Sequence, residues 1–554
     1  MKKLVLIPIL TLLSFGLLAQ LPESTSIDSL FAKWNFPETP GAALGIVRDG
    51  ELVYAKGYGS ADLEHDVLIT PETVFYIGSV SKQFVTFCIL LLEEQGKLDL
   101  DDRIQQYLPD FPEYDAPLTI RHFIHHTSGV RDYLTLMDLK GRSYLDHITA
   151  LEAYNLIKRQ KELNFTPGER YLYSNSCYFM LAMIVEKASG KPIREFAAEN
   201  LFGPLGMEHS LFYDDNRDLI KNRAFSYYTK GDEFENLINR FDLVGSGGVY
   251  SNIEDLYLWD QNFYDNKLGN GGQAIIEKMQ TEGKLNNGES AGYAFALNIG
   301  KYRGLKTVSH GGALAGYRSQ LLRFPDQRFS VIVLANRGDA NPARKCYQVA
   351  DIMLRGQFAA AEKTPTGAET SVEETTSPPE FTLEQMAGDY EIEPGVMLEI
   401  EILSDSLHVV QNWNQADYSL THHNGNGYKI PGDAGIDFIF SNLQDGKTQT
   451  LTVLQNGNET VCTRIDRASP QAVGMEVYAG DYYSEEIDAT YHIYQLDGGL
   501  RLRIEATEPK ELDYYDADLL TSEGMLFRFR RDNGELTGFE LDAGRVQNLK
   551  FVKN

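Results

Sequence analysis

A change in character near residue 359 constrains the fold of this 554-residue chain more than any other feature of its sequence. Residues 359–379 are rich in Ala, Thr, Glu, Ser and Pro and show no apolar periodicity, which is typical of a linker. The segment before them mixes helical and strand patterns, whereas the segment after them is nearly all strand. A chain of this length exceeds one hydrophobic core, so we expect at least two domains joined here.

The segment before the linker begins and ends with paired strands. Residues 42–47 and 52–58 flank Asp49-Gly50, a dipeptide that favours a tight hairpin turn. Residues 318–324 and 329–336 form a second predicted pair. Because helical patterns separate the two pairs, we expect an α+β domain whose antiparallel sheet is closed by the two ends of the domain.

The segment after the linker, residues 380–554, repeats itself. Ala-Gly-Asp-Tyr at residues 387–390 recurs at residues 479–482, and Phe-Ile-Phe at 438–440 is echoed by Phe-Arg-Phe at 527–529. Each half is small and strand-rich, so we expect the two repeats to close together into one β-barrel domain. Such a barrel could cap a cleft, bind a ligand or drive oligomerisation, and the sequence leaves these roles open.

The first nineteen residues predict export. Two lysines precede an apolar run over residues 4–18, and Ala19 is a small residue suited to cleavage, so residues 1–19 indicate a signal peptide. The run is short and Pro8 interrupts it, which disfavours a membrane anchor. We expect a periplasmic or secreted protein with no stable membrane anchor after signal cleavage, whose first domain spans residues 20–358.

Charge and metal-ligand spacing exclude two other classes of function. The formal net charge of -28, with no basic stripe, disfavours nucleic acid as a partner. His122, His125 and His126 lie close together but lack an acidic or cysteine ligand at metal-site spacing, so we expect no metal and no cofactor. The four cysteines are widely and irregularly spaced, and whether any of them pair is left open; Cys88 is expected to be a buried free thiol.

A predicted helix that begins near residue 77 carries the first chemical motif. Ser79 and Lys82 are three residues apart and share one helix face, so the Lys82 amine is predicted beside the Ser79 hydroxyl, while Ser81 faces elsewhere. A desolvated amine can take the proton that makes a serine nucleophilic, and a helix N-terminus favours a developing oxyanion.

Ser-x-x-Lys by itself is a common pattern, and a capping serine followed by a surface lysine is its ordinary explanation. Residues 84–92, however, make the helix apolar almost all round, which predicts that the helix is buried. A buried lysine needs a functional reason, so the pattern favours a catalytic pair.

Two further motifs supply groups that could converge on this pair. Tyr173 and Asn175 lie two residues apart in a predicted extended loop, so their side chains would face the same way. Tyr173 could relay protons if cations lower its pKa. A polar turn also explains this tripeptide. Residues 310–313, His-Gly-Gly-Ala, precede the late strand pair. Their glycines allow close approach of a substrate to a strand edge, where the Ala313 N–H would be an oxyanion donor.

The three motifs occur in the order Ser79-x-x-Lys82, Tyr173-x-Asn175 and His310-x-Gly312. This ordered set resembles the serine β-lactamase-related family, nearest its class C and D-aminopeptidase-like esterase members, over roughly residues 27–358. The resemblance implies an antiparallel sheet flanked by helices with a helical subdomain. Residues 380–554 similarly resemble a lipocalin-like domain that some peptidases of this family carry.

The resemblance also implies a role for each residue of the site. Ser79 would be acylated, Lys82 and Tyr173 would act as general base and acid, and the N–H groups of Ser79 and Ala313 would form the oxyanion hole. Three residues would bind or support the substrate: Asn175, His310 and Gly312.

One departure from the family pattern bears on the substrate. His310 stands where many β-lactam-binding relatives carry a lysine, and histidine is mostly neutral near pH 7, so a permanent cation for a substrate carboxylate is missing. We expect weak β-lactamase activity and small peptide, amide or ester substrates, with a cell-wall D,D-peptidase as the alternative. A non-catalytic peptide- or peptidoglycan-binding protein is the competing class; the exact substrate and the oligomeric state are left open.

Ser290 lies in a second serine-hydrolase pattern, Gly-x-Ser-x-Gly at residues 288–292. That nucleophile elbow requires a buried strand before the serine and a helix after it. Residues 281–287 are polar and residues 293–299 predict a strand, so the context disfavours Ser290 as a nucleophile.

Overall fold

The computed structural model describes residues 21–358 except 144 and 232, and residues 377–554 except 394, 414–415, 432–435, 456–457, 467–473 and 506. The predicted signal peptide and residues 359–376 of the predicted linker lie outside the described residues. The described part forms a mixed helix-and-sheet domain followed by an all-β region that contains a closed barrel, so the expected fold class is confirmed. No helix in these ranges is long and apolar enough to cross a membrane.

In its described residues, the first domain contains eleven α-helices and thirteen strands. The helices are α1 (Ser24–Leu30), α2 (Lys82–Glu94), α3 (Ile120–Ile124), α4 (Tyr133–Leu139), α5 (Ala150–Lys158), α6 (Asn175–Ser189), α7 (Ile193–Ala197), α8 (Gly203–Leu205), α9 (Ile253–Asn262), α10 (Gln273–Met279) and α11 (Pro342–Met353). The strands are β1 (Ala42–Arg48), β2 (Glu51–Tyr58), β3 (Ser60–Asp62), β4 (Val67–Leu68), β5 (Phe75–Tyr76), β6 (Leu211–Phe212), β7 (Tyr227–Lys230), β8 (Glu233–Asn236), β9 (Val249–Ser251), β10 (Asn298–Tyr302), β11 (Leu305–Leu314), β12 (Tyr317–Phe324) and β13 (Phe329–Ala335).

The main sheet is antiparallel and joins the two ends of the domain, as the paired strand patterns predict. Its order is β10-β11-β12-β13-β1-β2, with β1 pairing β13 along its whole length. Asp49 and Gly50 form the two-residue turn between β1 and β2, and both have positive φ, at 52° and 88°. A glycine tolerates that conformation without strain, which explains why this dipeptide sets the register of the hairpin.

Helices cover both faces of this sheet. On one face, Ile27 of α1 and Phe31, which follows α1, pack with Val349 of α11 against the sheet, and all three side chains are completely buried. On the other face, Trp259 of α9 is completely buried between Phe84 and Phe87 of α2, with ring centroids 4.8 and 5.4 Å away. Each such side chain contributes roughly 1.5–3 kcal/mol by burial, so α2 is fixed at the centre of the domain.

The all-β region contains one short helix, α12 (Leu383–Met386), and seventeen strands in the described ranges. The first repeat contains β14 (Gly388–Glu393), β15 (Val396–Leu403), β16 (Ser406–Gln411), β17 (Ala416–Ser419), β18 (Thr421–Asn424), β19 (Gly427–Lys429), β20 (Ile436–Gln444), β21 (Lys447–Gln455) and β22 (Asn458–Ile465). The second repeat contains β23 (Gly480–Ser484), β24 (Ala489–Leu496), β25 (Gly499–Ile504), β26 (Lys510–Asp516), β27 (Leu519–Ser522), β28 (Met525–Asp532), β29 (Glu535–Ala543) and β30 (Val546–Lys553).

The two repeats do not share one barrel, and this corrects the expectation from the sequence. The first repeat is a nine-stranded sheet of its own, and the second is a separate closed barrel of eight strands. The reason is strand length: strands of only three to nine residues give each repeat enough strands to curl around its own core. In the second repeat the core is aromatic, with Phe539 and Phe551 stacked at a centroid distance of 4.6 Å.

The closed barrel of the second repeat docks against the first domain through a buried arginine. The Arg131 side chain is completely buried and donates from Nη1 to Glu486 Oε2 at 2.7 Å. The same guanidinium donates from Nε to the carbonyl of Gln547 and from Nη2 to that of Asn548, both at 3.0 Å. Because Gln547 and Asn548 begin β30, these bonds hold the β29–β30 turn against the first domain.

All four cysteines are buried free thiols. The expectation of a buried free thiol at Cys88 is therefore confirmed, and the question of pairing that the sequence left open is answered.

Candidate active site

Ser79 lies on a tight turn that leads directly into α2. Gly78–Ser81 form one turn of 3-10 helix, and Lys82 begins the α-helix that continues to Glu94, as the sequence predicts. Gly78 has φ of 54°, and a Cβ placed on it would lie only 2.6 Å from the Ala313 nitrogen. The missing side chain therefore lets the turn that carries Ser79 press against the backbone of β11.

Lys82 lies beneath the Ser79 hydroxyl in a fully buried position. Its Nζ lies 3.0 Å from Ser79 Oγ, 2.9 Å from Asn175 Oδ1 and 2.5 Å from the Ser246 carbonyl oxygen. Burial lowers the pKa of Lys82 well below its ordinary value, and the charge of Arg545 lowers it further, while Asp132 opposes the shift.

The three partners of Lys82 fit the neutral amine that its lowered pKa favours. The Asn175 amide oxygen and the Ser246 carbonyl can only accept hydrogen bonds, so they take two N–H groups of the amine. A neutral amine has two N–H groups and one lone pair. That lone pair is then left to face the Ser79 hydroxyl, which is the arrangement of a base ready to accept the serine proton.

Tyr173 and Asn175 approach the pair from the start of α6. Asn175 is the first residue of that helix, and its backbone N–H donates to Asp132 Oδ2 at 2.5 Å. The Tyr173 ring centroid lies 4.8 Å from Lys82 Nζ, and its hydroxyl hydrogen-bonds Ser79. The two side chains of this motif therefore meet at Ser79 and Lys82.

The pKa of Tyr173 is raised rather than lowered by its surroundings. Burial raises it, while the hydrogen bond of Ser79 and the charge of Arg545 only reduce that rise. Desolvation of a phenolate outweighs the nearby cations here, so Tyr173 is a protonated phenol at neutral pH. It can donate or relay a proton, but it does not rest as a phenolate base.

The edge of β11 forms the opposite wall of the site. β10 pairs with residues 305–309 of β11, so residues 310–314 extend beyond it and leave that edge unpaired by β10. Gly312 lies where a Cβ would come within 2.9 Å of the Ser79 nitrogen. Ala313 is exposed beside it. The backbones of Ser79 and Ala313, whose N–H groups are the two expected oxyanion donors, therefore lie close together.

His310 is buried and neutral. Its Nδ1 donates to the Gly311 carbonyl at 2.7 Å, which leaves Nε2 to accept from the Tyr293 hydroxyl at 2.8 Å. Burial and then the neighbouring Lys82 lower the pKa of His310 to about 4. It therefore supports the strand edge through Tyr293 and carries no charge that could hold a substrate carboxylate.

A cavity of about 630 Å³ opens above Ser79. Its lining brings together six of the seven expected site residues, with Lys82 beneath the floor: Ser79, Tyr173, Asn175, His310, Gly312 and Ala313. The sequence analysis missed Asp132, Ser246, Tyr293 and Arg545. Asp132 and Ser246 reach the site only through folding of distant loops, and neither belongs to a motif that would have revealed it.

Arg545 enters this cavity from the closed barrel of the second repeat. It lies in the turn between β29 and β30, and its guanidinium carbon lies 4.7 Å from the Tyr173 ring centroid. The Arg545 carbonyl accepts from the Asp132 N–H at 3.3 Å and from Asn164 Nδ2 at 2.9 Å. The site is therefore built from two domains, and no motif around residue 545 indicates this.

The competing serine lies outside the cavity. Ser290 is exposed, and its Oγ donates to Glu282 Oε2 at 2.5 Å. The strand expected over residues 293–299 begins only at Asn298, and no helix follows Ser290, so the strand–turn–helix geometry of an elbow is absent here.

The three clustered histidines have packing and capping contacts. His122 completes a capping box with Thr119, His125 Nδ1 donates to the Tyr293 carbonyl at 3.1 Å, and His126 Nδ1 accepts from the Ser174 N–H at 3.1 Å. Within the described ranges, no group of three or more His, Cys, Asp or Glu side chains is arranged to hold a metal ion.

The antiparallel sheet, its flanking helices and this arrangement of side chains define a β-lactamase- or transpeptidase-like protein. Residues 32–351 match the family model described as Beta-lactamase, and the chain belongs to that family.

Two curated relatives and one solved structure are similar to this chain. A D-aminopeptidase of Brucella canis is 33% identical over 309 residues, which is 55% of this chain and 58% of that protein. A penicillin-binding protein of Bacillus subtilis (strain 168) is 32% identical over 351 residues, which is 60% of this chain and 75% of that protein.

The octameric penicillin-binding protein homologue from Pyrococcus abyssi shares the fold with a TM-score of 0.56 at 21% identity, over 88% of this chain and 99% of that chain. The chain spans 58% of the length of the D-aminopeptidase it matches.

Proposed function

We propose that this protein is an exported serine hydrolase that forms an acyl-enzyme on Ser79 with small peptide, amide or ester substrates. One observation carries the proposal: the buried Lys82 amine lies 3.0 Å from Ser79 Oγ, and two acceptor oxygens hold its other hydrogens. A lysine with an ordinary surface role has no reason to be buried beside a serine hydroxyl in a cleft.

The proton path follows from these contacts. Neutral Lys82 accepts the Ser79 proton as Oγ attacks the carbonyl carbon of the substrate, and the N–H groups of Ser79 and Ala313 stabilise the oxyanion that forms. Protonated Tyr173, hydrogen-bonded to Ser79, gives a proton to the departing amine or alcohol and recovers one from Lys82. Water then cleaves the acyl-enzyme by the same path in reverse, which releases the acid and restores Ser79.

The substrate class and the location are parts of the same proposal. The similarity to a D-aminopeptidase and to a penicillin-binding protein supports an acyl group in amide or peptide linkage, with a cell-wall D,D-peptidase as the alternative. Because His310 is neutral, we expect weak β-lactamase activity relative to the best ester or peptide substrate. The positively charged and apolar start of the chain supports export to the periplasm or the exterior.

The test is to locate the acylated residue. The purified mature protein and two variants, Ser79→Ala and Ser81→Ala, are incubated with a fluorophosphonate probe and with p-nitrophenyl esters, D-amino-acid anilides and nitrocefin. We expect an adduct on the peptide that contains Ser79 and loss of turnover in Ser79→Ala. Ser81→Ala is the matched control, because the Ser81 Oγ accepts from the Val249 N–H at 3.1 Å rather than facing Lys82.

Two results would oppose the proposal. An adduct on Ser290 would move the chemistry to the elbow motif outside the cavity. No adduct on any serine, together with no turnover, would favour a binding protein that keeps the fold.

A further inference from the structure

The charge of the active-site cavity is opposite to the charge of the whole molecule. The chain carries 79 acidic against 51 basic residues, yet the 24 residues that line the cavity include two arginines and no aspartate or glutamate. The two arginines are Arg318 and Arg545. A strongly acidic protein that keeps acidic side chains out of one cavity has a site suited to an anion.

The two arginines differ in the partners that their guanidinium groups already have. Arg318 donates from Nη1 to the carbonyls of Ala315 and Tyr317, at 2.7 and 2.8 Å. Part of its guanidinium therefore already binds the main chain near its own strand. Arg545 is exposed in the turn, and the described residues place no carboxylate oxygen within salt-bridge distance of its guanidinium. The Arg545 guanidinium lies over the Tyr173 ring.

The main chain of Arg545 is held firmly although its side chain is exposed. The Arg545 carbonyl accepts from Asp132 N–H and Asn164 Nδ2, and the Gln547 N–H donates to Asn164 Oδ1 at 2.8 Å. Asp132 in turn accepts from the Asn175 N–H at the start of α6. The turn that carries Arg545 is thus tied through one residue to the loop that carries Tyr173 and Asn175, which fixes the main chain of Arg545 relative to that loop.

We propose that Arg545 is a specificity-determining residue that binds a carboxylate group of the substrate in the active-site cavity. A guanidinium offers two parallel N–H groups that match the two oxygens of a carboxylate, and it carries its charge across the physiological pH range. Position 310, where the family pattern would place a cation, holds a neutral histidine, so Arg545 supplies from the barrel what that strand lacks. The second repeat therefore takes part in substrate recognition.

This inference rests on the proposed hydrolase activity at Ser79, and the substrates for its test come as matched pairs. One pair places the charge on the leaving group: meta-carboxyphenyl phenylacetate and meta-carbamoylphenyl phenylacetate. The other places it on the acyl group: p-nitrophenyl para-carboxyphenylacetate and p-nitrophenyl para-carbamoylphenylacetate. The rigid ring keeps the carboxylate from attacking its own ester, so each pair differs in charge and little else.

The values of kcat/KM for both pairs are compared in the wild type, Arg545→Gln, Arg545→Lys and Arg503→Gln. We expect the wild type to prefer the charged member of at least one pair, and Arg545→Gln to lower the charged-to-neutral ratio of kcat/KM for that pair about tenfold. Arg545→Lys should recover part of the loss. Arg503→Gln, an exposed arginine on the same barrel outside the cavity, removes the same charge and should change neither value.

The pair that responds identifies which side of the scissile bond carries the carboxylate. If Arg545→Gln leaves the charged-to-neutral ratio of both pairs at its wild-type value, the inference is overturned while the hydrolase survives. If the wild type turns over neither pair and acquires no adduct on Ser79, the proposed function itself fails, and this role of Arg545 fails with it.

Discussion

Lys82 and Arg545 bring basic side chains to one cavity from two domains, and they are built in opposite ways. Lys82 is buried at the start of α2, has all its hydrogen-bonding capacity used, and has a pKa well below its ordinary value. Arg545 is exposed on a hairpin turn of the second repeat and stacks on Tyr173. The first is suited to accept a proton, whereas the second is suited to hold an anion.

The difference shows how a catalytic domain and an appended barrel can divide one task. Burial that prepares Lys82 as a base would weaken a charge meant for recognition, because desolvation disfavours the charged form of an amine. A guanidinium on an exposed turn keeps its charge and its reach. In our proposal the chemistry therefore lies inside the first domain, and the recognition group lies on the second repeat.

The largest expected effect is the loss of kcat when Lys82, the buried one of the two basic residues, is replaced. Lys82→Ala removes the proposed general base, so we expect kcat to fall about ten-thousand-fold while circular dichroism shows an unchanged fold. Initial rates with a p-nitrophenyl ester measure this loss. Lys97→Ala, an exposed lysine just beyond α2, should keep kcat within about twofold. A Lys82→Ala enzyme with near wild-type kcat would remove Lys82 from the chemistry.

A smaller effect is expected at the contact that joins the two regions. Arg131→Ala leaves Glu486 buried without its charged partner and removes the donors to the Gln547 and Asn548 carbonyls. We therefore expect the free energy of unfolding to fall by about 3–5 kcal/mol. Chemical denaturation followed by fluorescence measures it. The matched control is Arg121→Ala, whose ion pair with Asp101 is exposed and should be worth about 1 kcal/mol or less.

Adding Glu486→Ala to Arg131→Ala separates the stability lost with the Arg131 contacts from the cost of burying the Glu486 carboxylate without a cation. The double variant should recover part of the stability, because no carboxylate then remains buried alone. Equal losses in Arg131→Ala and Arg121→Ala would mean that the barrel is not held by this buried pair.

Acid pH should destabilise the folded protein, because two histidines near the site are buried in their neutral form. Burial lowers the pKa values of His125 and His310 from 6.5 to about 4. Between these values the unfolded chain binds protons that the folded protein excludes, so stability is present above about pH 6.5 and is lost as the pH falls towards 4. The loss approaches about 3 kcal/mol for each histidine.

Denaturation midpoints measured at about pH 7.5, 6 and 5 test this dependence, because these values span the range over which stability is lost. His125→Gln should flatten the decline relative to the wild type, since glutamine does not titrate. An identical decline in the wild type and His125→Gln would show that other groups control acid stability.

The sequence predicts local parts of the site because their geometry is local. Ser79 and Lys82 meet through the three-residue spacing of one helix, and the β1–β2 hairpin follows from the conformations that Asp49 and Gly50 adopt. The pairing of β1 with β13 could be predicted because strand patterns occur at both ends of the domain. Such features depend on periodicity and turn chemistry, which a single sequence carries.

The remaining parts depend on contacts between distant segments. Arg545 reaches Tyr173 only because Arg131, Asp132 and Asn164 hold a barrel turn, and no spacing rule connects these positions. The sequence shows only that cations could lower the Tyr173 pKa; burial, which is a property of the folded molecule, outweighs them and raises it. The joint barrel was mispredicted because strand lengths, which set how many strands each repeat forms, are poorly defined by sequence.

Stopped-flow acylation kinetics with the charged ester that the wild type prefers test the division between Lys82 and Arg545 most directly. The dependence of the burst on substrate concentration gives the acylation rate constant and the apparent dissociation constant separately. We predict that Lys82→Ala lowers the rate constant with little change in affinity, and that Arg545→Gln weakens affinity with little change in the rate constant. An Arg545→Gln enzyme that binds as tightly as the wild type but acylates as slowly as Lys82→Ala would contradict the account.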